Sequence, residues 1–236
     1  MYRSTNLNSF FDNILKHSDC VFIFDVDNTI TKSNIIYFYT FLIESKIRNK
    51  FFASLWKFLF LIITGPIFLI LDLFDRSKVQ KIVYTLISIH KFSHIESTAE
   101  IYFDKYLKQN FIIEIHDLIH NLKTKGANIF LLSTNIDLII KQYAKYFDVK
   151  YFAIETSEST NGCIINMRSL KSFKLEKLHQ FNSNCLIGIA DSKHDIIFLN
   201  NVDFPFVVGK KMKNWIYKNS FNLIVKDKIF YKLNTF

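Results

Sequence analysis

Cysteine is scarce in this sequence, with only Cys20, Cys163 and Cys185 among 236 residues. They are too few and too scattered for a disulfide framework, and no CxxC pair or Cys/His cluster indicates a zinc site. We therefore expect them to be small core residues of a protein in a reducing, cytosolic compartment. The first twenty residues also lack an apolar stretch with a small-residue cleavage site, so we expect no secretory signal there.

Glycine and proline are also rare, at five and two residues, and with abundant Lys, Asn, Ile and Phe this indicates a biased base composition. Hydrophobic residues make up 50% of the chain, which excludes a disordered protein because they can bury a full core. The length fits one large domain or a core with an insertion. A formal charge of +9 favours an anionic partner, such as a phosphate ester, an acidic membrane or nucleic acid.

Three continuous apolar runs predict parallel strands that are buried on both faces. They are "CVFIF" (20–24), "ANIFLLS" (127–133) and "CLIGIA" (185–190), and the last two each follow a stretch with helical periodicity. This pattern predicts an α/β fold, a parallel sheet with helices on both faces. Asn161-Gly162 further predicts a β-hairpin turn.

Residues 33–111 separate the first predicted strand from the helix that precedes the second, and they have helical rather than strand character. An insertion of this size directly after a strand predicts a helical cap over the end of the sheet. We therefore expect residues 1–32 and 112–236 to form the core, and residues 33–111 to form the cap.

Polar residues follow each of the three predicted strands. They are Asp25 and Asp27 after the first, residues 133–135 (Ser-Thr-Asn) after the second, and Asp191 and Asp195 after the third. Ligands of parallel sheets bind at the carboxyl ends of the strands, so we expect these groups to converge. Clustered carboxylates repel one another unless a cation lies among them, and an all-oxygen ligand set suits Mg²⁺.

Such a site has the parts that phosphoryl transfer requires. One carboxylate attacks phosphorus, and the second, two residues on, protonates the leaving oxygen and then activates water. A hydroxyl and a lysine complete the clamp on the phosphate oxygens. Ser133 and Lys174 are suitably placed. Lys171 and Lys177 are alternatives to Lys174, which we favour because Ser172 could cap a helix just before it.

Four segments between residues 21 and 199 resemble, in order and spacing, the motifs of the haloacid dehalogenase superfamily of phosphohydrolases. They are "DVDNT", "IFLLST", "SFKLEKL" and "ADSKHD", and the likeness is strongest to the phosphoserine-phosphatase-like subclass. The resemblance implies a Rossmann-like parallel sheet with an inserted helical cap of the type called C1. Asn28 and Ala190 stand where glycine is frequent in the family, but both are small or tolerate turns.

The resemblance also implies catalytic roles. Asp25 would be the nucleophile, and Asp27 would be the general acid and base. Ser133 would hold a phosphate oxygen, and Lys174 would neutralise both the phosphate and the nucleophile.

Metal and substrate contacts are implied in the same way. Mg²⁺ would be bound by Asp25, by the backbone carbonyl of Asp27 and by Asp191, with Asp195 supporting the site from behind. The remaining phosphate and substrate contacts would come from Thr29, Asn34, Thr134 and Asn135.

The most hydrophobic segment lies inside the predicted cap, at residues 51–74. Gly65-Pro66 divides it, which predicts a helical hairpin with one arm on each side of the break. Basic residues on both flanks favour a hairpin that dips into an anionic cytoplasmic leaflet. An ordinary cap core or a dimer face is the alternative. A single crossing is excluded, because Asp25 precedes the segment, Asp191 follows it, and both belong to one site.

The substrate is less determined than the reaction. Phosphoserine phosphatases carry a glutamate where this chain has Asn34, which disfavours phosphoserine. The apolar segment and "MRSLKSFKLEKL" are similar to the phosphatidylglycerophosphatase C type of the superfamily, which implies a membrane lipid phosphate as substrate. Alternatives are a soluble metabolite phosphatase, a phosphotransferase and a non-catalytic binding protein. We expect no nucleic-acid partner.

Overall fold

The computed structural model of the protein describes residues 2–17 and 19–232. The strands in these residues are, in chain order, β1 (Tyr2–Asn6), β2 (Val21–Phe24), β3 (Asn128–Ile136), β4 (Lys150–Ile154), β5 (Thr156–Ser159), β6 (Gly162–Ile165), β7 (Leu186–Ala190), β8 (Phe204–Val208), β9 (Asn222–Val225) and β10 (Lys228–Lys232).

Eight of these strands form one sheet in the order β1-β10-β9-β8-β7-β2-β3-β4. The strands from β9 to β4 run parallel, and β10 and β1 are added antiparallel at one edge. The three predicted strands are β7, β2 and β3, which are neighbours in this order. Phe22, Ile23 and Phe24 of β2 are fully buried, so both faces of the strand need apolar side chains. The predicted α/β fold is confirmed.

Helices flank the sheet and fill the connection after β2. They are α1 (Leu7–His17), α2 (Ile35–Glu44), α3 (Lys50–Ser88), α4 (Phe92–Tyr102), α5 (Ile113–Thr124), α6 (Asp137–Phe147), α7 (Phe173–Leu178), α8 (Ile196–Leu199) and α9 (Asn214–Lys218). A π-helical turn (Phe103–Leu107) and a 3₁₀ turn (Lys108–Asn110) follow α4, and a second 3₁₀ turn (Lys193–Asp195) precedes α8. All the regular elements between β2 and α5 are therefore helices or helical turns, and the sequence predicts this helical character.

The predicted break at Gly65-Pro66 is wrong. Helix α3 continues through both residues for 39 residues in all, and it departs from helical angles at Asp75 (φ −160°, ψ 94°). Pro66 removes one backbone hydrogen bond. Phe60, before the proline, packs on Tyr39 of α2, and it also contacts Phe68 of the same helix beyond the proline. The contact with α2 and the burial of Phe68 therefore favour a continuous helix.

A helical hairpin does exist, but α2 and α3 form it. Tyr39 of α2 contacts Trp56 and Phe60 of α3, and Lys57 pairs with Glu44 at 3.2 Å near the far end of α2. The two helices therefore run antiparallel. The connection at residues 45–49 forms the tip of the hairpin.

The face of α3 that points away from α2 exposes apolar side chains along its length. The stretch Lys50–Asp72 is long and apolar enough to cross a membrane, with a mean hydropathy of 2.1, and only 6% of its most apolar window is buried. We call these exposed residues the outer stripe: Phe51, Phe52, Leu55, Phe58, Leu59, Ile62, Ile63, Ile67, Leu69, Ile70 and Phe74. The alternative of an ordinary cap core is wrong for this face, because no described residue of the chain covers it.

The cysteines also differ from expectation. Cys20 and Cys185 are joined by a disulfide, whereas Cys163 is buried and free. The pairing was not predicted because 165 residues separate the two cysteines. They immediately precede β2 and β7, which are hydrogen-bonded neighbours with Val21 opposite Leu186, so the sheet itself brings them together.

The predicted β-hairpin is confirmed, since β5 and β6 pair antiparallel with Ser159 opposite Gly162. It lies against the end of α3. A Cβ atom on Gly162 would be 2.3 Å from the backbone carbonyl oxygen of Ser88, whereas one on Gly65 would meet nothing within 4 Å.

These two glycines predict different responses to the same substitution. Gly162→Ala should destabilise the protein by about 1–3 kcal/mol, because backbone atoms must move apart. Gly65→Ala should change the free energy of unfolding by less than about 1 kcal/mol, because the helix propensity of alanine is opposed by the ring of Pro66, which disfavours helical angles for a preceding residue that has a Cβ atom. Urea unfolding of both variants measures the difference. Equal midpoints for the two variants would contradict the close approach of β6 and α3.

Candidate active site

The first two carboxylates are held by the turn that follows β2. The backbone N–H of Asp25 donates to Ile189 O of β7 at 2.8 Å, which continues the sheet by one residue. Asn28 then takes a left-handed conformation (φ 58°), which asparagine tolerates better than most residues and which reverses the chain. Asp25 and Asp27 are both buried at the carboxyl edge of the sheet.

Lys174 links Asp25, which follows β2, to Asp195, which follows β7. Its Nζ lies 2.6 Å from Asp25 Oδ1 and 2.5 Å from Asp195 Oδ1. Of the two alternative lysines, Lys171 pairs with Asp75 of α3 at 2.7 Å, and Lys177 lies over the ring of Phe152. The structure therefore brings Lys174 rather than its neighbours to the aspartates.

The end of β3 supplies the next group. Its pairing with β4 shifts register between Leu132 and Ile136, and this irregular stretch carries the polar residues. Asn135 Nδ2 donates to both carboxylate oxygens of Asp27 at 3.1 Å, and the backbone N–H of Asn135 donates to Ser133 Oγ at 3.0 Å. Asn135 therefore orients Asp27.

Three carboxylates form a group that could hold a metal ion. One oxygen each of Asp25, Asp191 and Asp195 lie within 4.8 Å of one another. Asp191 Oδ1 is buried and has no hydrogen-bond partner among the described residues, whereas Asp195 Oδ2 accepts from Ser192 Oγ at 2.8 Å. A buried oxygen without a partner in an all-carboxylate set is what a hard cation such as Mg²⁺ would satisfy.

The charges in the site are unequal. Burial, and then repulsion from Asp25, raise the pKa of Asp191 to about 8 and that of Asp27 to about 7. Burial also raises the pKa of Asp25, although Lys174 opposes it. For Asp195, Lys174 overcomes burial and lowers the pKa. Lys174 itself stays protonated because both aspartates raise its pKa against burial.

Thr29 and Asn34, which the resemblance implies as phosphate or substrate contacts, both make hydrogen bonds within the protein. Thr29 is fully buried and its Oγ1 donates to Asp25 Oδ2 at 3.2 Å, so it orients the carboxylate. Asn34 Oδ1 accepts from the backbone N–H groups of Ile36 and Tyr37, which makes it the N-cap of α2.

Helix α3 contributes three residues that the sequence analysis did not assign to the site. Arg76 lies 3.5 Å from Ser192 Oγ, and the surrounding aspartates raise its pKa against the effect of burial. Gln80 Nε2 donates to Thr134 Oγ1 at 2.8 Å, and Tyr84 Oη donates to Thr134 O. In the sequence, Arg76 is one of the basic residues that flank the apolar segment. Nothing in the local sequence distinguishes it from Lys78 or Lys81. In the structure the chain departs from helical angles at Asp75, and Arg76 reaches the site.

The aspartates open into a cavity of about 250 Å³. Among the residues that line it are Asp25, Asp27, Arg76, Ser133, Thr134 and Lys174. This volume suits a phosphoryl group and the first atoms of its ester. Arg76 of α3 and Lys174 of α7 give the cavity positive charge. Its carboxylates are Asp25 and Asp27, which follow β2, and Asp195, which follows β7.

The fold is that of haloacid dehalogenase hydrolases, in the form found in phosphoserine phosphatases. No family model and no curated protein matches the chain. Solved structures do: a phosphoserine phosphohydrolase-like protein from Francisella tularensis has a TM-score of 0.60 at 17% identity, covering 87% of this chain and 94% of that one. A substrate-bound phosphoserine phosphatase has 0.58 at 14%, covering 88% and 93%. A HAD family hydrolase from Salmonella enterica has 0.57 at 10%, covering 92% and 75%.

The carboxylate group predicts how the protein responds to metal. Mg²⁺ at a hundred times its Kd should raise the free energy of unfolding by about 2.7 kcal/mol. Asp191→Asn should stabilise the metal-free protein by roughly 1–3 kcal/mol, because it removes a buried negative charge that Asp25 and Asp195 repel. The same variant should lose the response to Mg²⁺. Thermal unfolding with Mg²⁺ and with a chelator measures both effects.

The control is Asp117→Asn, which neutralises an exposed aspartate on α5, far along the chain from the cluster. It should leave the response to Mg²⁺ unchanged. A full Mg²⁺ response in Asp191→Asn would contradict the assignment of the metal site.

Proposed function

We propose that this protein is a Mg²⁺-dependent phosphomonoester hydrolase that acts through a phosphorylated Asp25. The observation that carries the proposal is the arrangement around one small cavity: Asp25 paired with Lys174, and Asp27 oriented by Asn135. A structural neighbour described as a phospho-aspartyl intermediate analogue of phosphoserine phosphatase supports the same chemistry. Bound Mg²⁺ would neutralise the carboxylates and polarise the phosphate oxygens.

Each step has a residue to perform it. A carboxylate oxygen of Asp25 attacks phosphorus, the bond from phosphorus to the ester oxygen breaks, and Asp27 gives its proton to that oxygen. Asp27 then takes a proton from water, which attacks the aspartyl phosphate and releases inorganic phosphate. A pKa of about 7 suits Asp27 to both tasks near neutral pH. Lys174 and Ser133 hold the phosphate oxygens.

Two substitutions separate these steps. Asp25→Asn should lower turnover by about 10³-fold or more and prevent labelling, because the nucleophile is lost. Asp27→Asn should lose turnover while sparing some phosphoenzyme. Turnover of p-nitrophenyl phosphate and acid-stable labelling from a radioactive substrate measure the two steps. Asp148→Asn, on the exposed end of α6, is the control. Full activity in Asp25→Asn would overturn the mechanism.

The proposed substrate is a membrane-borne phosphate, such as the lipid monoester phosphatidylglycerophosphate. The outer stripe supports this proposal, because an exposed apolar face of this size fits the surface of a bilayer. Lys50 and Arg48 at the hairpin tip suit anionic head groups, at about 1 kcal/mol for each basic residue. Asn34 is uncharged and its Oδ1 caps α2, so this position offers no carboxylate to a substrate amine.

The hairpin suits contact with one leaflet, on the cytoplasmic face, rather than a crossing. Helix α2 has 10 residues and is about 15 Å long, half of a hydrocarbon core of about 30 Å. The chain before α3 supplies Asp25 and the chain after it supplies Asp191, so both ends of α3 stay on one side. Helix α3 therefore lies along the surface with its outer stripe in the lipid.

Substitutions on the outer stripe test this association. Replacing Leu59, Ile62 and Ile67 together by Ser should release the protein from anionic vesicles and depress hydrolysis of lipid phosphate, because apolar insertion is lost. The matched control replaces Ile101, Ile113 and Ile164, which are exposed elsewhere, by Ser. Sedimentation with vesicles measures binding. A wild-type protein that ignores anionic vesicles, or prefers soluble sugar or amino-acid phosphates, would instead be a soluble metabolite phosphatase.

A further inference from the structure

A second cavity, of about 670 Å³, adjoins the first and shares Asp27, Arg76, Gln80 and His194 with it. Its two ends differ in chemistry. At the catalytic end it is lined by Asp27, Asp191 and Arg76, and toward the hairpin it is lined by Ile35 and Leu61 with other apolar residues. Its volume is that of a site for a small organic ligand. We call it the hairpin groove.

Gly65 lies in the middle of the groove wall. Leu61, Gly65, Phe68 and Asp72 line the groove at spacings of four, three and four residues, which places them on one face of α3. A Cβ atom on Gly65 would meet nothing within 4 Å, so the groove is open there. Any larger residue at this position would project into the groove.

The apolar end of the groove reaches the surface beside the outer stripe. Leu69 lines the groove and is 70% exposed, so it belongs to both. An apolar chain that lies along the outer stripe could therefore reach the groove at Leu69. At the other end, Lys193, His194 and Lys213 add positive or titratable groups near the aspartates, which suits the polar end of an amphiphile.

We propose that the hairpin groove holds the alkyl or acyl chain of the substrate while its phosphate lies at Asp25, and that Gly65 keeps the groove open. This inference rests on the proposed phosphatase activity and specifies the substrate as a phosphate monoester of a long apolar chain. The groove fits such a chain because apolar side chains of α2 and α3 line part of it, and because Asp27 and Asp191 of the candidate site line it as well. A phosphorylated sugar or amino acid would leave this apolar surface unfilled.

The experiment uses alkyl phosphates below their aggregation concentration, so that binding to a membrane plays no part. In the wild type, kcat/KM should rise with chain length from butyl to dodecyl phosphate, by at most about fourfold for each buried methylene. In Gly65→Leu, the ratio of kcat/KM for dodecyl phosphate to that for butyl phosphate should fall at least tenfold. Gly65→Ala should give an intermediate ratio. Because Gly65 precedes Pro66, whose ring disfavours helical angles for a residue with a Cβ atom, circular dichroism and an unchanged kcat/KM for butyl phosphate should confirm that each variant keeps the fold.

Ser54→Leu is the matched control, because it adds the same side chain at an exposed position of α3 outside the groove. It should keep the wild-type ratio. A ratio that is unchanged in Gly65→Leu, or reduced equally in Ser54→Leu, would overturn the proposal. So would a wild type that hydrolyses p-nitrophenyl phosphate but shows no dependence on chain length, and in that case the proposed reaction would stand.

Binding of dodecylphosphonate, a non-hydrolysable analogue, tests the groove independently of turnover. Calorimetry should show affinity for dodecylphosphonate at least tenfold above that for butylphosphonate in the wild type, and loss of this difference in Gly65→Leu. If no phosphate ester is hydrolysed but this difference is present, the groove is retained and the proposed reaction fails. Equal affinity for both chain lengths in the wild type would refute the groove.

Discussion

The ion pairs of Lys174 with Asp25 and Asp195 are the interaction on which the rest of the site depends. Asp25, Asp27, Asp191 and Asp195 crowd one edge of the sheet, where burial removes the water that would screen them. Lys174 and Arg76 do not offset burial and mutual repulsion for all four, so the pKa values of Asp191 and Asp27 stay raised and one Asp191 oxygen has no described partner. A cation among the carboxylates would reduce this repulsion, and three of them are close enough together to hold one.

Helix α3 connects this electrostatic constraint to the surface. Beyond the bend at Asp75, its C-terminal part sends Arg76, Gln80 and Tyr84 into the site. Before the bend, it presents one face to α2 and the hairpin groove and the opposite face to solvent. The two parts of α3 thus contribute to the cavity at the aspartates, to a wall of the groove and to the outer stripe. Contact of the stripe with lipid and capture of a chain by the groove would consequently involve the same rigid element.

Much of this could be predicted from the sequence, because strand ends in a parallel sheet have a fixed relation to one another. The runs before Asp25 and Asp191 are apolar, and the α/β pattern predicts that the ends of these strands converge at one edge of the sheet. The structure shows that the two strands are neighbours. The helical hairpin was placed wrongly because Gly65-Pro66 is a strong local signal for a break. Packing of Phe60 on Tyr39 outweighed it. Local propensity is a weak guide wherever such tertiary contacts decide.

The sequence by itself determined the α/β class, the helical character of the insertion and the identity of the residues at the strand ends, since these depend on periodicity and on spacing along the chain. Only the tertiary structure decided which lysine meets Asp25, that Arg76 turns inward, that Cys20 lies against Cys185, and that α2 is the partner of α3. Each of these depends on distances between segments far apart in the chain. Such distances are set by how whole elements pack, and no local pattern of residues records them.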